Sequence, residues 1–198
     1  AWMSTWEYAG KCAYYYDKFN GAFSMFYEYS LVNESGEYYI YLNPVNEYET
    51  ILLKDTKKEI NVEDSSIDNV YNGRTFKTSI GFENKNDLVF EISLKAKDST
   101  LLIKYDESIN VITVDRTNQK NYPSKSFLNK YSSKIDKNET INIDLYVDMA
   151  SLEVVINNGK YVGSFIYFPE DDVNVSISSN IKTNINTISY TFDTMWKK

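Results

Sequence analysis

Four stretches between residues 141 and 168 decide the fold: Ile141-Asn142-Ile143-Asp144-Leu145-Tyr146-Val147, Leu152-Glu153-Val154-Val155-Ile156, Asn157-Asn158-Gly159 and Gly163-Ser164-Phe165-Ile166-Tyr167-Phe168. In the first, Ile141, Ile143, Leu145 and Val147 share one face of an extended chain, because successive strand side chains point to opposite sides. Asn157-Asn158-Gly159 separates two apolar runs. Asn and Gly tolerate the positive φ that a tight type I′ turn needs at its central residues, so this is the strongest hairpin signal in the chain.

The same period extends in both directions. Leu88, Phe90, Ile92 and Leu94 share one face of an extended chain, and runs at 101–105, 111–114, 173–177 and 187–192 repeat the pattern. No segment sustains a 3.6-residue period, so little helix is expected. Many short strands separated by turn residues predict an all-β chain, an antiparallel β-sandwich.

Residues 1–53 differ in character. Trp2, Trp6, Tyr8, Tyr14, Tyr15, Tyr16, Phe19, Phe23, Phe26, Tyr27 and Tyr29 crowd them, and they read as three strands near 2–9, 20–31 and 37–42. Three strands without a long apolar face cannot bury a core of their own. They must pack on the sandwich or on another part of the protein. The polar stretch 54–68 reads as a connection, which assigns the sandwich to residues 69–198.

Composition removes several function classes. The 198 residues carry a net charge of −7 with arginine only at 74 and 116, so the basic stripe that nucleic acid requires is missing. No run approaches the roughly 18 apolar residues of a membrane helix. There is no histidine, which removes Ser-His and Cys-His catalysis and the commonest zinc ligand. Cys12 is alone, so neither a disulfide framework nor a cysteine metal site is expected, and no cofactor is implied.

Three segments, in order, carry a resemblance. Trp2-Met3-Ser4-Thr5-Trp6-Glu7-Tyr8 is similar to W-M-S-N-W-x-Y, the last-blade strand of the β-propeller in family 32 glycoside hydrolases, the invertase, inulinase and levanase group. Phe19-Asn20-Gly21-Ala22-Phe23-Ser24-Met25 and Tyr41-Leu42-Asn43-Pro44-Val45-Asn46-Glu47-Tyr48 follow, where that family writes W-R-G-A-M-S/T and L-x-Q-x-P-V-x-E-L. Ile112-Thr113-Val114-Asp115-Arg116-Thr117 resembles the L-x-L-D-R-S strand of the family's C-terminal domain. Val147-Asp148-Met149-Ala150-Ser151-Leu152-Glu153-Val154-Val155-Ile156-Asn157-Asn158-Gly159, with Phe168-Pro169 beyond it, resembles D-x-S-x-V-E-I-F-V-N-D-G followed by F-P. Asn20 stands where the family has Arg, and Tyr27-Glu28-Tyr29-Ser30 replaces its P-R-E-L.

The resemblance implies a concanavalin-like jelly-roll sandwich preceded by a remnant of the last propeller blade in residues 1–53, in a secreted, extracellular protein. Retaining glycosidases need two carboxyl groups about 5–5.5 Å apart. In this family they lie in W-M-N-D-P-N and E-C motifs, with R-D-P beside them, and none of these occurs here. No catalytic residue is therefore assigned, and the machinery is expected upstream of Ala1. Glu170-Asp171-Asp172 and the pair Asp144 and Asp148 read as solvated carboxylates rather than a catalytic pair.

Sandwich modules similar to this one, the family 66 carbohydrate-binding modules, bind terminal fructose through charged side chains. The residues this implies here are Asp115, Arg116 and Glu153. Against it stands a structural ion pair made by Asp115 and Arg116 inside the sandwich. Three readings result: a non-catalytic accessory region of a fructan- or sucrose-cleaving hydrolase, with the missing catalytic propeller or another subunit as partner; an autonomous fructan-binding module; or a scaffold without sugar binding. Burial of the charged cluster together with an exposed aromatic patch in residues 1–53 would favour the first.

Overall fold

The computed structural model describes residues 3, 7, 11 and 22–193. Tyr14-Tyr15-Tyr16, Cys12, Asn20 and most of the strand expected at 2–9 lie outside the described residues. Thirteen elements follow in order: β1 (Tyr27–Glu34), β2 (Glu37–Pro44), α1 (Glu47–Thr50), β3 (Lys58–Gly73), β4 (Phe76–Glu83), β5 (Val89–Ala96), β6 (Ser99–Asp106), β7 (Val111–Asn118), β8 (Lys130–Lys134), β9 (Thr140–Val147), β10 (Ser151–Ile156), β11 (Tyr161–Ile166) and β12 (Val173–Thr191). Among the described residues the fold is all β apart from short helical turns, and every named strand pairing is antiparallel.

Two long strands organise it. The first part of β12, Asn174–Ser179, pairs with β5, and its last part, Ile185–Thr191, pairs with β4. β3 runs beside β12 from Ser189↔Lys58 to Val173↔Gly73, with register breaks at Val175/Ile177 and Ser178/Thr183. Both strands therefore pass from one sheet into the other. One sheet runs β11-β10-β9-β4-β12-β3, and the second runs β8-β7-β6-β5-β12-β3. The predicted strands at 173–177 and 187–192 are thus two halves of β12, and the Ser178–Asn184 stretch between them carries the crossing.

The sequence periodicity builds the core between the sheets. Phe76, Thr78, Ile80 and Phe82 of β4 point inward, as do Phe90, Ile92, Leu94 and Ala96 of β5. Phe82 and Phe90, one from each sheet, stack with centroids 3.8 Å apart and planes 10° from parallel. The expected hairpin forms between β10 and β11, with Asn157, Asn158 and Gly159 at φ of 49°, 57° and 89°.

The connection expected at 54–68 is mostly strand, and the sandwich begins at Lys58 rather than 69. β3 pairs with β12 alone and forms the outer edge of both sheets. An edge strand stays soluble and unpaired when it carries charge, so its polar sequence is that of an edge. On the opposite flank no strand crosses among the described residues. There the edges β8 and β11 leave a cleft of about 380 Å³ floored by Ile112, Val114, Val154 and Ile156.

The β1–β2 hairpin docks on the β10–β11 turn. The Leu42 N–H donates to the Gly159 carbonyl at 2.9 Å. A Cβ at Gly159 would stand 2.4 Å from the Leu42 carbonyl oxygen, so both the positive φ and the close approach require glycine. At the sandwich end, Met3 is buried with Phe127, Ile166 and Phe168 in a small second core.

Because Phe82 joins the two sheets, Phe82→Ala is expected to destabilise the protein by about 3–5 kcal/mol. Urea unfolding followed by circular dichroism measures this, and a loss below about 1 kcal/mol would mean the sheets do not depend on that stack.

Candidate functional site

Alternation in β10 sends Leu152, Val154 and Ile156 into the core, and Glu153 and Val155 to the outer face of the sheet. That face is covered, and Glu153 is only 2% exposed. Its carboxylate accepts the Met25 N–H at 2.9 Å, the Tyr27 hydroxyl at 2.7 Å and the Ser164 hydroxyl. Ser164 is its cross-strand neighbour in the β10–β11 register. Burial pushes the Glu153 carboxyl above the usual carboxylate range, and these donors only partly oppose it. Burial and the adjacent Glu153 push the Tyr27 phenol upward as well.

Glu153 lines a cleft of about 590 Å³ between the 23–51 segment and the sandwich. Phe23, Met25, Tyr48, Tyr146 and Phe192 supply apolar wall, and Asp148 and Asp193 add two further carboxylates. The Lys77 ammonium lies 5.2 Å from the Tyr146 ring and pairs with Glu49 at 2.6 Å. Burial pushes the Tyr146 phenol up to about 12. Aromatic surface beside hydrogen-bonding acceptors suits a polyol, whose C–H faces stack while its hydroxyls donate. Among the described residues, no group of three or more potential metal ligands is found.

Arg116 and Asp115 lie elsewhere. Being adjacent in β7, they face opposite sides of the sheet. Arg116 points inward and is 3% exposed. Its guanidinium lies 4.0 Å from the Phe127 ring centroid and donates to the Ile166 carbonyl at 3.1 Å and the Tyr131 hydroxyl at 2.9 Å. Asp115 points outward and pairs with Lys130 at 2.8 Å. Against the upward push of partial burial, Lys130 and Thr117 hold its carboxyl below the usual range. Among the described residues, no ion pair links Arg116 to Asp115 or to Glu153. Of the three proposed sugar ligands, Glu153 alone reaches the 590 Å³ cleft.

Tyr27 and Ser164, the hydroxyl partners of Glu153, are not among the residues expected from sequence. Val155 on the outer face of the strand signals that this face is covered, but not by which residues. Among the other candidate carboxylates, Glu170 pairs with Lys97 at 3.4 Å and accepts from Asn121 at 2.7 Å, and Asp148 accepts the Met149 N–H at 2.7 Å.

The hairpin presents a second candidate surface. Its register sets Tyr29 opposite Leu42, Leu31 opposite Ile40 and Asn33 opposite Tyr38, so Tyr29, Leu31, Tyr38 and Ile40 share a face. They are 71%, 70%, 67% and 60% exposed, and Phe23 and Phe26 are also open to solvent.

The fold and these surfaces define a β-sandwich with an attached, half-covered hairpin. Residues 46–192 match the family described as glycosyl hydrolases family 32 C terminal, and the chain belongs to that family. It is 28% identical to a fructan β-fructosidase of Streptococcus mutans over 98% of its own length, which is 14% of that protein. Among solved structures, an exo-inulinase from Aspergillus awamori shares its fold with a TM-score of 0.81 at 21% identity, across 98% of this chain and 40% of that one. A β-fructofuranosidase from Schwanniomyces occidentalis does so with a TM-score of 0.78 at 18% identity, over 98% and 44%. The chain therefore spans less than half the length of these relatives.

A buried carboxyl with a raised pKa stabilises the fold below its ordinary pKa and less so as pH rises through the raised value, because the unfolded state ionises first. Stability relative to Glu153→Gln should therefore fall as pH rises above the ordinary carboxylate range of about 4. Parallel denaturation curves above that pH would mean that Glu153 ionises normally.

Proposed function

We propose that this chain is the non-catalytic C-terminal region of a fructan- or sucrose-cleaving β-fructosidase, with the hairpin belonging to the last blade of a catalytic propeller. The observation that carries this reading is the hairpin's asymmetry. One face is tied to the sandwich, while Tyr29, Leu31, Tyr38 and Ile40 stand bare on the other. Monomers rarely expose contiguous apolar patches beyond a few hundred Å², and such patches mark partner surfaces. The burial of Arg116 and Glu153 supports the same reading, since both are engaged by protein groups.

Mixed with the separately produced catalytic part of the parent enzyme, the chain should bind it, and Leu31→Ser with Ile40→Ser should weaken that binding at least about tenfold. Alone, the chain should release no fructose from sucrose, inulin or levan. Fructose release by the isolated chain, or association indifferent to the double substitution, would overturn the proposal.

A second reading, an autonomous fructan-binding module, draws support from the aromatic and carboxylate walls of the 590 Å³ cleft. Isothermal titration with levan, inulin oligosaccharides and sucrose tests it. Saturable heat abolished by Asp148→Ala would put the sugar in that cleft. Heat abolished by Arg116→Ala, with the fold intact, would instead favour a site around Asp115 and Arg116, and no heat with any fructan leaves the accessory role.

A further inference from the structure

Lys160 stands in the β10–β11 turn, directly after Gly159. Its side chain is 9% exposed, low for a lysine so near a turn. The ammonium pairs with Glu34 of β1 and, at 2.5 Å, with Asp136 in the link between β8 and β9. It also lies 4.0 Å from the centroid of the Tyr39 ring of β2. Glu34 accepts the Tyr41 hydroxyl in addition, and the Tyr161 hydroxyl accepts the Asp136 backbone N–H at 2.9 Å. Three segments far apart in sequence therefore meet on one ammonium: the hairpin, the β8–β9 link and the β10–β11 turn.

We infer that Lys160 is a positioning residue that locks the β1–β2 hairpin to the sandwich and so fixes the direction in which its bare apolar face points. A two-stranded hairpin is marginal by itself, so its orientation must come from outside its own ladder. Lys160 suits that task because a compact ammonium has three donors that can reach partners in different directions. Glu34 and Tyr39 are presented on the face opposite Tyr29, Leu31, Tyr38 and Ile40, as the hairpin register requires. That this orientation serves a catalytic propeller rests on the function proposed above; the lock itself does not.

The titratable groups around the ammonium are Glu34, Tyr39 and Tyr41 from the hairpin, and Asp136 and Tyr161 from the sandwich. The Lys160 ammonium holds both carboxyls below their usual range and is itself held protonated by them. The sign follows from those directions. Carboxyls with lowered values stabilise the lock above their ordinary pKa, and that stabilisation is lost as pH falls through the lowered values. The lock is therefore closed at neutral pH and opens in acid, below about pH 4.

Hydrogen exchange read by mass spectrometry on the whole chain tests this. In Lys160→Met, amides of residues 28–44 should lose protection by about tenfold or more, while β5 and β6 keep theirs. Lys160→Arg, which preserves the charge, should restore part of the protection. Normalised hairpin protection should fall in acid for the natural protein and stay flat for Lys160→Met. Unchanged hairpin protection in a folded Lys160→Met protein would overturn the inference. Should that variant unfold globally, Glu34→Gln, altered on the hairpin side alone, decides: selective loss of hairpin protection supports the lock and its absence refutes it. These outcomes require no catalytic part, so failure of the lock and failure of the proposed function are read separately.

Discussion

Everything in this molecule depends on the backbone hydrogen bonds of two strands that belong to both sheets. Each strand needs neighbours for its N–H and C=O groups, and β12 finds β5 along one half and β4 along the other while β3 follows it throughout. The polypeptide itself thereby holds the sheets in register at one flank. Inward-facing Phe82 and Phe90 can then stack across the gap, because the crossing fixes where β4 and β5 face each other. The cost is an asymmetric sandwich, closed where β3 and β12 cross and open between β8 and β11.

The outer face of one sheet has its own requirement. Glu153 and Val155 face away from the core yet are buried, so β10 is packed on both sides. A carboxylate there would be costly without partners, and it has three donors, two of them from the segment that covers it. Removing that cover would take away two of the three donors. The segment that covers Glu153 is thus tied to the sandwich through that carboxylate.

Much of this was legible in the residues. Alternation in β5, β6, β7 and β9 gave inward and outward faces directly, and Asn157-Asn158-Gly159 gave the hairpin with its positive φ values. β3 was hidden because an edge strand reads like a loop: charge is what keeps it from pairing further. β12 was split in the reading because Ser178–Asn184, where it changes sheets, has no sustained apolar alternation. The candidate site was less legible for a simpler reason. Asp115 and Arg116 are neighbours in a strand, so period two sends them to opposite faces of the sheet. The true surroundings of Glu153 come from Met25 and Tyr27, more than 120 residues away in the chain, and no local pattern encodes such a contact.

The way the hairpin is attached bears on what it is for. Its described ties to the sandwich are largely polar: a backbone bond to Gly159, the ion pairs of Lys160 and the donors to Glu153. Polar ties define direction more sharply than apolar contact, because hydrogen bonds and ion pairs have narrow geometry while hydrophobic burial is non-directional. A hairpin held in this way keeps its apolar side chains free, and Tyr29, Leu31, Tyr38 and Ile40 remain in water. Had stability of the isolated chain been the only requirement, the large side chains would face the sandwich and the charged ones the solvent. Leaving Tyr29, Leu31, Tyr38 and Ile40 outward fits the proposed function, in which directional contacts set the hairpin's orientation and a partner supplies the burial.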